Sequence, residues 1–170
     1  MIILHETIEV PFIDYCAYFN GNKDYFECHE VLEEFWKEIA PGDKSHVIVG
    51  FIQVATSLYH WRRGNVRGAK KSMKSAIDII RNQKETTYVK IIDGEVFLAN
   101  CEQALQKMKD NVPYEAFNIL FKNAAFFDLV TKRISTLPVE DENFIHHKHK
   151  LRDRSDVILA RAIRLAEKQL

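Results

Sequence analysis

Two neighbouring stretches decide the fold: YFECHEVLEEFWKEI (residues 25–39) and SHVIVGFIQVATSLYHWRRGNVRGA (residues 45–69). In the first, Cys28, Val31, Leu32, Phe35 and Ile39 recur at three- and four-residue spacing, which predicts a helix with one apolar stripe. Glu27, Glu30, Glu34 and Glu38 fall on its far side. His29, Glu33 and Trp36 lie on one flank, at the border between core and water. In the second, the 17 residues from Ser45 to Trp61 contain no Asp, Glu, Lys or Arg. A helix from about Lys44 to Arg63 that is apolar nearly all round is a central, buried one. With His46, Gln53, Thr56, Ser57 and His60 inside it, the run is too short and too polar for a membrane span. Its polar exceptions form a line, His46, Gly50, Gln53, Ser57 and His60, without the Lys or Glu that a solvated stripe carries.

Outward from this pair the same periodicity continues. Pro11 suits the first turn of a short helix with Phe12, Tyr15 and Phe19 on one face, ended by Asn20-Gly21-Asn22. Asp24, with Glu27 three residues on, reads as a cap for the second helix. Asn65 reads as the cap of a fourth helix to about Arg81, with Val66, Ala69, Met73, Ala76 and Ile80 inward. A less regular stretch, 83–94, precedes a helix from about Glu95 to Lys109 that turns Phe97, Cys101, Ala104, Leu105 and Met108 inward. Residues 113–123 fit either a helical turn or an extended segment, and a helix from about Ala124 to Ser135 follows. From Glu140 to Gln169 the chain reads as one long charged helix. There Phe144, Leu151, Ile158 and Leu165 repeat every seven residues beside Ala162, a narrow seam for one partner helix in the same chain or a second one.

The expected fold is therefore all-α: a single-domain multihelical bundle of about five to seven helices, with a long charged C-terminal helix. Residues 1–138 form the bundle core, and residues 139–170 dock on it or on a second chain. A homodimer through the C-terminal helix is the first partner expectation and another protein the second. Six glycines and four prolines are few for 170 residues, and no clean alternating strand is present. The formal net charge of zero argues against a general nucleic-acid or anionic-membrane binder. Cys16, Cys28 and Cys101 are odd in number and widely separated, which fits reduced thiols in a cytoplasmic protein. The start, MIILHETIEVP, lacks the basic region and long apolar run of a signal peptide.

His29 and Glu33 are one helical turn apart, with Glu30 one position round. Gln53 and His60 are two turns apart on one face of the third helix. If the two helices pack antiparallel, a His/Glu/Gln/His cluster forms in the bundle interior, the way bundles build sites from facing helices. His29, Glu33 and His60 are then candidate metal ligands for Zn or Fe(II) with open positions. Glu30 is a candidate general base, and Gln53 a group that orients substrate or water. The same residues read first as a hydrogen-bond network that fixes helix register and binds nothing, ahead of a bound metal or a metal-free ligand or acid–base site. His29-Glu30 is not a zinc-protease motif, because Glu33 stands where HExxH requires its second histidine. His146, His147 and His149 read as a solvated face before a metal clamp. Arg62, Arg63, Arg67, Lys70, Lys71 and Lys74 read as a solvated basic face, although an anion can sit at that helix start.

FNGNKDYFECHEVLEEFWKE (residues 19–38), followed by GFIQVATSLYHWRRGNVRGA (residues 50–69), resembles the prokaryotic family known as domain of unknown function 309, most of all its YpuF-like, Bacillus-type members. The resemblance rests on Phe19, Asn20, His29, Glu30, Glu33, Trp36, Gly50, Ile52, Gln53, Ala55, Tyr59, His60, Gly64, Asn65, Gly68 and Ala69. It implies a small multihelical cytosolic domain and singles out His29, Glu30, Glu33, Trp36, Gln53 and His60 as the site. It implies no activity. Two function classes follow: a structural or regulatory interaction protein, and a small metal-binding protein or hydrolase-type enzyme.

Overall fold

The structure, a computed structural model, describes residues 9–151 and 155–168. The reading of the first eight residues as lacking a leader lies outside it. Among the described residues ten helices run in chain order: α1 (Val10–Gly21), α2 (Tyr25–Ile39), α3 (Val47–Arg62), α4 (Val66–Arg81), α5 (Thr87–Ile91), α6 (Gly94–Lys109), α7 (Ala124–Ile134), α8 (Glu142–His146), α9 (Lys148–Leu151) and α10 (Ser155–Lys168). Seven have eleven or more residues, and α5, α8 and α9 are single turns. No strand occurs among the described residues, so the protein is an all-α multihelical bundle.

Side-chain caps set the helix starts. Asp24 accepts from the Glu27 N–H at 3.1 Å, Asn65 from Gly68 at 3.1 Å and Asn123 from Phe126 at 2.9 Å. His46 caps α3 through its Nδ1, which accepts from Ile48 N–H at 3.1 Å, so it stands at the head of the polar line and outside the helix. Gly64, at φ +84°, supplies the left-handed residue between α3 and α4.

The central helix is α3, which packs on α2 and α4 and turns eleven buried residues into the core. Two members of the polar line along it, Gly50 and Ser57, serve α4. A Cβ on Gly50 would lie 2.8 Å from Ile80, so only glycine allows the two helices this approach. One turn beyond Gln53, the buried Ser57 hydroxyl donates to the Ala69 carbonyl at 2.6 Å. Across the core, Phe12, Tyr15, Phe19, Phe51, Phe97 and Phe126 form one aromatic cluster, and Tyr15 donates to the Phe51 carbonyl at 2.8 Å.

Between α6 and α7 the chain is extended, the second of the two forms the sequence allowed. Asn20 clamps it from both sides, donating to the Ile119 carbonyl at 2.9 Å and accepting its N–H at 2.8 Å. The C-terminal region departs from the expectation of one helix. A turn at His147 separates α8 from α9, so Phe144, Leu151, Ile158 and Leu165 do not share one helical seam. The break has a physical reason: it brings Lys148 down onto Asp24, against the end of the bundle. The side chain of Ile158 and residue Gln169, both part of the expected helix, lie outside the described residues.

Candidate functional site

A groove of about 200 Å³ opens between α2 and α3. Tyr25, Phe26, His29 and Glu30 come from α2, and Thr56, Tyr59 and His60 from α3. Arg63, just past the end of α3, and His149, on α9, complete its wall. The antiparallel packing of α2 and α3 thus places His29, Glu30 and His60 on one cavity.

Along its edge, His29 bridges two carboxylates: its Nδ1 is 3.2 Å from Glu30 Oε1 and its Nε2 is 3.4 Å from Glu33 Oε2. Lys37 holds the other Glu33 oxygen at 3.2 Å. The three side chains are 33%, 43% and 35% exposed, so the cluster sits at the rim and not in the interior the sequence suggested. One ligand atom from each of His29, Glu30 and Glu33 lies within 4.8 Å of the others, close enough for one cation. His60, expected as a ligand with His29 and Glu33, does not join that group. It lies across the groove, with its Nδ1 3.3 Å from Asn65 Nδ2. Burial, and then the Arg63 charge, hold its imidazole below the ordinary histidine value.

Gln53 and Trp36 stand apart from the groove. Gln53 Oε1 is buried with no hydrogen-bond partner, and the side chain does not line the cavity. Trp36 packs on the core edge and donates from Nε1 to the Asp43 carbonyl at 2.8 Å, pinning the α2–α3 turn. Cys28 is buried and gives its thiol to the Tyr15 carbonyl, with burial pushing its pKa well up, so it belongs to the core.

The C-terminal segment supplies what the sequence concealed. His149 is no solvated face residue: its Nδ1 is 2.5 Å from the Tyr59 hydroxyl and its ring meets Tyr59 edge-on. Beside it, Lys148 is 8% exposed and reaches Asp24 at 2.9 Å, Glu140 at 3.0 Å and Glu27 at 3.1 Å. Asp24 is wholly buried, one oxygen capping α2 and the other holding Lys148. Asp24 was legible as a cap, but nothing local announces a partner 124 residues away.

Arg62 and Arg63 also leave the solvated basic face. Arg62 lies over the rings of Tyr25, Tyr114 and Tyr59, and Arg63 over Tyr59. The remaining basic residues, from Arg67 to Lys74, run along α4.

The family model described as domain of unknown function (DUF309) matches residues 12–72, which include every groove residue except His149. "Uncharacterized protein YpuF" of Bacillus subtilis (strain 168) is 35% identical over 157 residues, 88% of this chain and 90% of that relative. No solved structure matches the chain.

Proposed function

Because the chain belongs to the DUF309 family, whose name carries no reaction, we propose that it is a cytoplasmic binding protein in a regulatory or interaction role, with the α2/α3 groove as its site. The exposure of the polar cluster is the observation that supports this. A network that fixes a fold is withdrawn from water, where each hydrogen bond counts most. His29, Glu30 and Glu33 keep a third or more of their surface exposed. The buried polar contacts of the fold lie elsewhere: Asp24 with Lys148, Tyr15 with the Phe51 carbonyl, Ser57 with the Ala69 carbonyl. Aromatic walls with a few convergent polar groups suit capture of a ligand. The three buried, unpaired cysteines support the cytoplasmic placement, and no described helix is long and apolar enough to cross a membrane.

A fragment screen read by amide chemical shifts tests the proposal. Hits should cluster on residues 25–30 and 56–63. Hits confined to other surfaces would defeat it.

A second reading rests on the three ligand atoms within 4.8 Å: a divalent Zn or Fe at His29, Glu30 and Glu33. Elemental analysis of protein purified without a histidine tag should then find near-stoichiometric metal that disappears in His29→Ala/Glu33→Gln. A metal-free wild type would remove this reading. The partner proposal is a homodimer through α10, whose Leu159 and Ile163, one turn apart, are 61% and 50% exposed. Truncation after Leu151 should convert a dimer to a monomer; an unchanged mass rejects it.

A further inference from the structure

The His29 cluster leaves the charge at the groove's other end unexplained. Arg62 is caged by tyrosines, its Cζ 4.7 Å from the Tyr25 ring, 5.7 Å from Tyr114 and 6.0 Å from Tyr59. Its Nη1 donates to the Lys23 carbonyl at 2.8 Å, while Nε and Nη2 are shut off from solvent without an acceptor. Arg63 lines the groove and stacks over Tyr59 at 5.3 Å, and its Nε is also buried without an acceptor. Among the described residues the arginine ion pairs are those of Arg81 with Glu102 and Arg133 with Asp14. Neither Arg62 nor Arg63 has a carboxylate partner there.

An arginine stays charged at any physiological pH. Two adjacent, half-buried guanidinium groups lose hydration and repel one another. Tyrosine faces offset part of that cost, but a cation over a ring recovers less than an ion pair with good geometry. The missing partner is an anion. On the α2 side the carboxylate that lines the groove is Glu30, which His29 engages. An anion therefore belongs at the Arg63 end.

We propose that the groove binds a small aromatic acid, its ring against Phe26 and Tyr59 and its carboxylate or phosphate on the Arg63 guanidinium. This rests on the groove being the binding site proposed above. A guanidinium meets either oxyanion with two parallel N–H···O bonds, and Arg62, 6.0 Å from the Tyr59 ring, adds its charge nearby. A cavity of about 200 Å³ is smaller than a drug-sized site and holds one ring with its acid group.

The test is titration of the full-length chain with phenyl phosphate, benzoate, phenol and benzylamine, followed by amide chemical shifts and calorimetry. At least one acid should move the groove resonances and bind about tenfold or more tightly than phenol, a gap expected for a charge-assisted pair. Comparing the two acids separates phosphate from carboxylate as the source. Arg63→Gln should weaken the acids about tenfold and leave phenol unchanged, with Arg63→Lys in between. Circular dichroism shows whether each variant folds. If phenol or benzylamine binds as tightly as the acids, or Arg63→Gln and Arg63→Lys both bind them as wild type does, the groove survives as a site and the anionic assignment is wrong. If no probe moves a groove resonance at millimolar concentration, both proposals fail.

Discussion

Replacing Lys148 with alanine should cost about 3 kcal/mol of stability. The ammonium reaches Asp24 at 2.9 Å, Glu140 at 3.0 Å and Glu27 at 3.1 Å. Asp24 is fully buried, and its Oδ1 is already committed to the Glu27 N–H. Without Lys148, Oδ2 is left as a buried charge with no donor. Stranding one partner of a buried pair costs about 3–5 kcal/mol. Glu27 and Glu140 are only partly buried and regain water, which puts the expectation at the lower end of that range. Asp24→Asn in the Lys148→Met background should recover most of the loss, because asparagine still caps α2 and carries no charge. The assay is urea denaturation followed by far-UV circular dichroism at neutral pH. Burial by itself lowers the Lys148 pKa, but the hydrogen bonds its ammonium donates to Asp24 and Glu140 outweigh it and hold the pKa above the ordinary lysine value. The folded state therefore binds this proton more tightly than the unfolded chain. The stabilisation is complete below the ordinary lysine value and is lost only as pH climbs above the raised one, so a neutral-pH experiment reads all of it. A loss under about 1 kcal/mol, the value of a surface pair, would refute this account of the C-terminal anchor.

Gly50→Ala should destabilise by about 1–3 kcal/mol through overpacking, since the new Cβ would lie 2.8 Å from Ile80 and 3.1 Å from Ile79. An unchanged melting temperature would mean that α3 and α4 spread at no cost. His60 is held below its ordinary value of 6.5 by burial and then by Arg63, so the folded state binds fewer protons there than the unfolded chain. Its contribution is complete above that value and is lost as pH falls through the depressed one. Wild type should accordingly lose stability more steeply on acidification than His60→Gln; parallel curves would disprove the assignment. His146, lowered by burial and then by Arg62, acts in the same direction in both proteins and cancels from the comparison.

The helices that carry the groove were legible because their signals are local. Asp24, Asn65 and Gly64 punctuate α2, α3 and α4, and the apolar spacing in between is unambiguous. The pairing of α2 with α3 followed from their short connection, and it places His29, Glu30 and His60 on one cavity. The polar line on α3 was visible, but its meaning was not: Gly50 and Ser57 serve the approach of α4. Period alone cannot tell a small residue that admits a neighbour from one that lines a site. Lys148, His149 and Arg63 were harder still. Each looks like an ordinary surface residue by composition; Lys148 and His149 are placed by contacts on other elements, with Asp24 and Tyr59, and Arg63 by the Tyr59 ring one turn back. The turn at His147 that delivers two of them has no glycine or proline to announce it.

The central claim is that the His29 cluster is a surface site and that the fold does not depend on it. A double-mutant cycle of His29→Ala and Glu33→Gln, read by urea denaturation, tests it most directly. With the pair 3.4 Å apart and about one-third exposed, the account predicts a coupling energy no larger than about 0.5 kcal/mol. A coupling of about 2 kcal/mol or more, with each single change strongly destabilising, would contradict it and make the cluster the network that holds α2 in register.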